Sequence, residues 1–159
     1  MAKNVVGMTN NDFDKFTMFK YFDGEALFLY SDTGYRELES DLQIPIGLAR
    51  KILLLRNYSE KYLKSRFQDW TTKTVGSFIR ATVNISNEEI ENICRLITEK
   101  YIDGIVFASY TNAKEMQNDI HERHEFGIIY RKVFARRDKL LEERFDHIQS
   151  GPENITRTD

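Results

Sequence analysis

Apolar side chains recur every three or four residues along much of this chain, which is the spacing of one face of an α-helix. The clearest helix starts after Ser86, which forms a capping-box pattern with Glu89, and runs to about Tyr101. A second apolar helix is expected after Pro45, and a third from about Phe126. Because the sequence contains only 2 prolines, the pattern predicts a protein made mainly of helices.

Two Asp-Gly pairs favour a different structure when they are taken alone. Asp23-Gly24 separates the apolar runs 17–22 and 26–30, and Asp103-Gly104 precedes the apolar run 105–110. Asp-Gly between apolar runs is typical of β-hairpins, so local patterns predict an α+β protein. The internal repeat at the same two places favours helices instead, and we predict helices over 26–30 and 105–110.

A short motif at each Asp-Gly pair marks this internal repeat. Residues 20–24 (KYFDG) recur as residues 100–104 (KYIDG), and Tyr30 matches Tyr110. Later matches keep the same order with small shifts of spacing. They pair Leu38, Asp41 and Leu42 with Met116, Asp119 and Ile120, Gly47 with Gly127, and Arg50 to Leu53 with Arg131 to Phe134. We therefore expect two related units.

The repeated unit resembles the SAM (sterile alpha motif) domain, a bundle of five helices. The second unit carries the family's tryptophan, valine and aromatic-apolar pair in the first helix, its apolar-Asp-Gly turn, and a glycine that opens the fifth helix. The residues that carry the resemblance are Trp70, Val75, Phe78, Ile79, Ile102, Asp103, Gly104, Phe107, Tyr110, Met116, Ile120 and Gly127. The core that the resemblance implies consists of Trp70, Val75, Phe78, Ile93, Ile97 and Val133.

The first unit matches the family less completely. The match extends from 11 to 57, and residues 22–28 fit the family best. Residues 1–9 lack the pattern of the first helix, so we expect this unit to leave apolar surface uncovered. After the fourth helix, where the family usually has a glycine, the two units have Gln43 and His121.

The resemblance implies an all-α fold of two tandem small bundles. The expected organisation is a SAM-like module over 1–58, a helical connector over 59–68, a second SAM-like module over 69–146 and a disordered tail over 147–159. In both modules the Asp-Gly pair would form a corner between helices, where Asp23 and Asp103 cap the third helix.

Charge is distributed unevenly, and in the same way in both units. Residues 11–43 hold eight acidic and three basic residues, whereas residues 44–57 hold three basic and no acidic ones. Residues 86–125 hold nine acidic and four basic residues, and residues 126–140 hold five basic and one acidic. Each unit thus has an acidic middle and a basic fifth helix, although uneven charge is also common on ordinary solvated surface.

SAM domains often pair head to tail, with the middle of one domain against the start of the fifth helix of another. The resemblance therefore implies a protein-interaction scaffold or adaptor, whose partners are other SAM domains or further copies of the chain. The expected basic face consists of Leu48, Arg50, Lys51, Ile128, Arg131 and Lys132. The expected acidic face consists of Asp32, Glu37, Glu39, Asp41, Glu115 and Asp119.

Other functional classes find less support in the residues. The sequence has no glycine-rich phosphate loop and no evident nucleophile with a histidine-carboxylate pair, so we predict no enzymatic activity, no catalytic residue, no cofactor and no small-molecule substrate. His121 and His124 lack the ligand number and the spacing of a zinc site, so we predict no metal. RNA binding is the alternative function, because the fifth helix of the second unit is basic. The cations concerned are Arg131, Lys132, Arg136, Arg137 and Lys139.

Composition adds an expectation about location. The net charge is −2, so any attraction to nucleic acid or to a membrane surface must be local. We expect no membrane partner, because no apolar stretch reaches the length of a membrane span. The single cysteine, Cys94, lies among apolar residues and has no internal disulfide partner. We therefore expect a reducing location, cytoplasmic or alternatively nuclear.

Overall fold

The computed structural model describes residues 20–57, 60–120 and 126–157, and every regular element within these ranges is a helix. The predicted all-α class is therefore confirmed, and neither Asp-Gly pair forms a hairpin. The helices are α1 Gly24–Leu27, α2 Tyr35–Leu42, α3 Ile46–Arg56, α4 Glu60–Leu63, α5 Thr72–Thr82, α6 Asn87–Glu99, α7 Gly104–Ser109, α8 Ala113–Ile120 and α9 Gly127–Arg157.

Side-chain caps begin several helices where the sequence predicts them. The carboxylates of Asp23 and Asp103 each accept a hydrogen bond from the backbone N–H three residues further on, at 2.9 and 3.1 Å. Ser86 caps α6 in the same way through the N–H of Glu89, at 3.2 Å. Each cap satisfies an N–H group that has no partner within the first helical turn. The structure ends α1 at Leu27, three residues before the predicted end, and α7 at Ser109, one residue before it.

Two hydrophobic cores divide the described chain. The first core lies between α2 and α3, and its buried residues are Leu38, Leu42, Ile44, Leu48, Ala49, Ile52 and Leu53. The second core lies among α5 to α9, and its buried residues include Phe67, Val75, Ile79, Ile93, Ile97, Phe107, Tyr110, Met116, Tyr130 and Val133. We refer to residues 20–57 as the first unit and to the described residues from 60 onward as the second unit.

The predicted second core is correct except for its two aromatic members. Trp70 and Phe78 are only partly buried and pack at the edge of the core. The fully buried Phe67 takes the inner position, with its ring 4.3 Å from the ring of Trp70 and 5.7 Å from that of Phe107. Trp70 therefore covers the core rather than filling it.

Equivalent polar contacts occur in the two units. The hydroxyl of Tyr30 donates a hydrogen bond to Asp41 at 2.7 Å, and that of Tyr110 donates one to Asp119, also at 2.7 Å. Asp41 lies in α2 and Asp119 in α8, which the sequence matches to each other. The repeat is thus present in side-chain contacts as well as in residue order.

Two arginines with buried side chains show which residues of α3 and α9 are equivalent in the repeat. Arg56 in α3 donates a hydrogen bond to the carbonyl group of Leu27, the last residue of α1, at 3.1 Å. It donates a second to the carbonyl group of Tyr30 at 2.6 Å. Arg137 in α9 donates two hydrogen bonds, at 2.9 and 2.8 Å, to the equivalent carbonyl groups around the end of α7. Arg56 and Arg137 lie 81 positions apart, the same offset that relates the Arg-Lys pairs of the two helices.

Two predicted boundaries differ from the structure. The connector predicted over 59–68 is helical over Glu60–Leu63, and turns follow this short helix. At the other end, α9 extends to Arg157, whereas composition predicts a disordered tail over 147–159. This segment contains Gly151 and Pro152, which disfavour a helix interior by about 1 and 3 kcal/mol, so residue propensity does not explain the extension.

The described part of the first unit exposes large apolar side chains. Tyr21, Phe28 and Leu29 are between 67% and 79% exposed. In the second unit, a Cβ added at Gly104 would overlap the carbonyl oxygen of Phe67. Among the described residues, nothing lies within 4 Å of a Cβ built at Gly24. Residues 1–9, where the first-helix pattern is missing, lie outside the described ranges.

A left-handed residue at the end of α2 offers a test of local stability. Gln43 has a φ of 55°, in the conformation for which the family pattern usually has glycine. An L side chain costs about 1–2 kcal/mol in this region. We expect Gln43→Gly to raise the free energy of unfolding by about 0.5–1 kcal/mol, because the entropy cost of glycine offsets part of the gain. Urea denaturation followed by circular dichroism measures this difference.

Tyr101 is the matched control for this test. Its φ is 57°, but its side chain packs against the first core. We therefore expect Tyr101→Gly to lower the free energy of unfolding by about 1–3 kcal/mol, since the loss of apolar contact outweighs the relief of backbone strain. Equal effects of the two substitutions would contradict this account.

Candidate interaction faces

The basic start of α3 lies against the acidic surface of the second unit. Arg50 binds Asp119 through its Nε atom, and its Nη1 atom donates to Glu115 at 2.7 Å. The adjacent Lys51 donates to the second carboxylate oxygen of Asp103 at 2.6 Å, while the first oxygen caps α7. We call this set of contacts between the two units the internal contact.

Asp119 is the most buried charge of the internal contact, with only 2% of its surface exposed. Besides Arg50, it accepts hydrogen bonds from Arg36 at 3.0 Å and from the Tyr110 hydroxyl at 2.7 Å. The guanidinium of Arg50 lies between the rings of Tyr35 and Tyr110, at 4.3 and 4.7 Å from their centroids. The buried positive and negative groups therefore compensate each other through hydrogen bonds, ion pairing and aromatic contact.

These contacts shift the pKa values of the groups involved. Burial opposes the charge of Arg50, but its hydrogen bond to Asp119 and the nearby Tyr110 and Glu115 raise its pKa above the ordinary value. Burial, reinforced by Asp119, raises the pKa of Tyr110 well above that of a free tyrosine. The folded state therefore favours the protonated hydroxyl, and this contribution to stability is present below about pH 10 and lost as pH rises above it.

The backbones of the two units also meet within the internal contact. The N–H of Gly47 donates to the carbonyl oxygen of Lys100 at 2.8 Å. A Cβ added at Gly47 would overlap the carbonyl oxygens of Lys100 and Tyr101. Tyr101 packs its side chain against the first core from the other unit. The internal contact therefore combines ion pairs, a backbone hydrogen bond and an apolar anchor.

The structure brings four of the predicted site residues together, but within one chain. Arg50, Lys51, Glu115 and Asp119 all belong to the internal contact. Arg131 and Lys132 were expected to pair with Glu115 and Asp119. In the structure Arg50 of the same chain already occupies that surface. Charge patterns predict which surfaces are complementary, but they do not distinguish contacts within a chain from contacts between chains. A further predicted contact residue, Leu48, is buried in the first core and is not part of a face.

The remaining basic residues form an exposed surface at the start of α9. Ile128 is 69% exposed, and Arg131 and Lys132 are exposed beside it. We call these three residues the open basic face. Arg137, which composition groups with them, is instead buried and holds carbonyl groups of the second unit.

The remaining acidic residues lie on the first unit. Glu37 and Asp41 are exposed and occupy the positions that match Glu115 and Asp119 in the repeat. Tyr21, which matches Tyr101, is exposed as well. By its place in the repeat we assign it, with Glu37 and Asp41, to one surface, which we call the open acidic face. The other predicted members bind locally, since Asp32 accepts from Arg56 at 2.6 Å and Glu39 pairs with Arg36 at 3.3 Å.

Residue order alone missed several groups that shape these faces. Arg56 and Arg36 were not predicted, because an isolated arginine has no spacing signal, and Arg137 was predicted as one of the cations of α9 rather than as a buried residue that binds carbonyl groups. The equivalence of Arg56 with Arg137 was detectable, since extending the match of Arg50 with Arg131 by six residues pairs them. Tyr101 and Gly47 are part of the recognised repeat, but sequence comparison does not reveal that they meet.

Metal binding and membrane insertion can be addressed for the described ranges. Within them, no group of three or more His, Cys, Asp or Glu side chains is placed to hold a metal ion. His121 and His124 lie outside the described residues. The described helices include none with the length and apolar character needed to cross a bilayer.

The two equivalent tyrosines allow a test of the buried carboxylate. We expect Tyr110→Phe to lower the free energy of unfolding by about 1–3 kcal/mol, because it removes a donor from the buried Asp119. Tyr30→Phe removes the same hydrogen bond from the exposed Asp41, where water replaces it, and should cost about 0.5 kcal/mol. Urea denaturation of both variants at neutral pH measures the difference. A larger loss for Tyr30→Phe would show that Asp119 does not depend on its hydroxyl partner.

Comparisons with known proteins were made at three levels. No family model, no curated protein and no solved structure matches the chain. Support for a function therefore comes from the internal contact and from the two open faces.

Proposed function

We propose that this chain is a protein-interaction scaffold or adaptor of the SAM type, which pairs head to tail with further copies of itself or with other modules of this kind. In this pairing the open acidic face of one molecule contacts the open basic face of the next. Because the two faces are different surfaces, the contact is heterologous, and it extends into an open chain of molecules when its rotation does not close a ring.

The observation that carries this proposal is the internal contact. There, Arg50 and Lys51 at the start of a helix meet the acidic surface that contains Glu115 and Asp119. The repeat provides a second basic helix start and a second acidic surface, and both are exposed. The chemistry of one occupied contact is therefore available a second time on the outside of the molecule.

Exposed apolar side chains at the same positions support the proposal. Tyr21 is 67% exposed, although its match Tyr101 packs into the neighbouring core. Ile128 is 69% exposed at the centre of the open basic face. Charged rims mainly set the rate and the orientation of association, whereas apolar contacts supply most of the affinity. Each open face thus has both components of a binding surface.

Reversing the charge of one face tests this function. We expect Arg131→Glu with Lys132→Glu to weaken association by about 1–3 kcal/mol and to remove most of its salt dependence. Glu37→Lys with Asp41→Lys should act in the same way from the opposite face. Sedimentation velocity over a wide range of concentration measures the size of the wild type and of both variants.

Mixing the two reversed proteins provides the control. Each retains one intact face, and the two reversed faces carry opposite charges, so the mixture should associate although neither protein associates alone. A mixture that stays monomeric while the wild type associates would place the contact elsewhere. If reversal changes neither the size of the protein nor the set of proteins that bind it, the charged faces are ordinary solvated surface.

RNA binding is the second candidate, and one observation favours it. Arg131, Lys132, Arg136 and Lys139 are all exposed on α9, and Arg131 also lines an open depression with Lys114. Cations in such an arrangement bind phosphates with an affinity that falls steeply with salt concentration. Titration of single-stranded RNA at several salt concentrations tests this alternative, and binding unchanged by Arg131→Glu with Lys132→Glu would exclude this face.

A further inference from the structure

The two basic helix starts share an Arg-Lys pair but differ in the four residues before it, and the second of these four is the residue of α3 that meets another backbone in the internal contact. The offset set by Arg56 and Arg137 pairs the Arg-Lys sequence of α3 with that of α9. The same offset pairs Gly47 with Ile128, and each is the second residue of its helix. Gly127, which residue order matches to Gly47, is therefore one position away from the true equivalent.

This difference determines how closely each helix start can approach another backbone. The absence of a side chain at Gly47 allows its N–H to reach the carbonyl of Lys100 at 2.8 Å. Ile128 has a branched side chain at the equivalent position, and that side chain is 69% exposed. A helix start that carries Ile128 cannot reach the same backbone without displacing it, since interiors and close contacts tolerate little overlap.

Charge does not distinguish the two helix starts. Both present an arginine followed by a lysine, so the acidic surface with Glu115 and Asp119 attracts either one. In a solution of many copies, the open basic face of one molecule competes for this surface on another. Tethering favours the internal contact, with an effective concentration of the order of millimolar. The shape of each helix start, which decides how closely it approaches the backbone of the second unit, is the second factor that distinguishes the two.

We propose that the residue at this position selects which basic helix start docks on the acidic surface of the second unit. Gly47 admits the start of α3, and Ile128 excludes the start of α9. The inference rests on the proposed function, because it takes charged helix starts to be docking surfaces, and it restricts the partner. The open basic face then fits an acidic surface with a recess for Ile128, and does not fit the surface that the internal contact occupies.

Exchanging the two side chains tests the selection. Gly47→Ala places a Cβ against the backbone of Lys100 and Tyr101 and should release the internal contact, leaving the acidic surface of the second unit open. We expect this variant to associate no more than the wild type, since Ile128 still blocks the other helix start. Adding Ile128→Gly should cause assembly at least about tenfold tighter by sedimentation velocity.

The chain offers matched controls for each step. Gly127→Ala makes the same change one position from the true equivalent, and should alter neither stability nor size, because among the described residues an added Cβ meets only Gln117, at 3.8 Å. Glu115→Lys in the double variant should abolish the new assembly, whereas association through the open acidic face does not use Glu115. Circular dichroism establishes that each variant remains helical.

A further variant covers the case in which Gly47→Ala unfolds the first unit. Ile128→Gly alone leaves the internal contact intact and should show weak association that depends on Glu115, because its freed helix start must displace a tethered competitor. Absence of this association and of assembly by the double variant would overturn the inference.

Assembly by Gly47→Ala alone, as strong as that of the double variant and dependent on Glu115, would also overturn it. Tethering rather than Ile128 would then be what protects the surface. Neither outcome bears on pairing through Glu37 and Asp41, so the inference and the proposed function fail separately.

Discussion

A buried carboxylate determines how the two halves of this protein fit together. Asp119 is almost inaccessible to water, and an ionised carboxylate at such depth is stable only when donors replace its hydration. The donors are Tyr110 from its own unit and Arg36 and Arg50 from the other. Removing one partner of a buried pair typically costs about 3–5 kcal/mol, whereas a well-packed apolar replacement can be neutral. The pair therefore contributes orientation more than net stability, because only one arrangement of the units brings both arginines to the carboxylate.

The repeat provides an internal comparison for this interaction. Tyr30 and Asp41 form the same hydrogen bond as Tyr110 and Asp119, at the same length, but Asp41 remains exposed. The tyrosine-carboxylate contact is therefore a property of each unit, and Asp119 is buried because the first unit packs over it. Where a second unit covers the carboxylate, arginines accompany it. Where nothing among the described residues covers it, the carboxylate stays exposed, and Tyr21, the match of Tyr101, is exposed as well.

The order of the residues predicted the local features of the fold, such as the helix caps. The caps at Asp23, Asp103 and Ser86 follow from side chains that satisfy free N–H groups, and they form as expected. The complementarity of Arg50 with Glu115 and Asp119 was also predictable, because charge is visible in composition. Its location within one chain was not, since the path of the linker decides which surfaces meet. The extension of α9 to Arg157 was not predictable in this way, because Gly151 and Pro152 within it disfavour a helix.

The internal contact also separates affinity from orientation in this molecule. The Arg-Lys pair occurs in both helix starts, so its charge alone does not distinguish them. The close approach of Gly47 to Lys100 and the packing of Tyr101 against the first core depend on shape, and shape differs at both equivalent positions. Tyr21 is not left-handed as Tyr101 is, and Ile128 replaces Gly47. Two units related by a repeat can therefore keep the same charges while only one combination of faces forms the close backbone contact, which leaves the other faces free for a different partner surface.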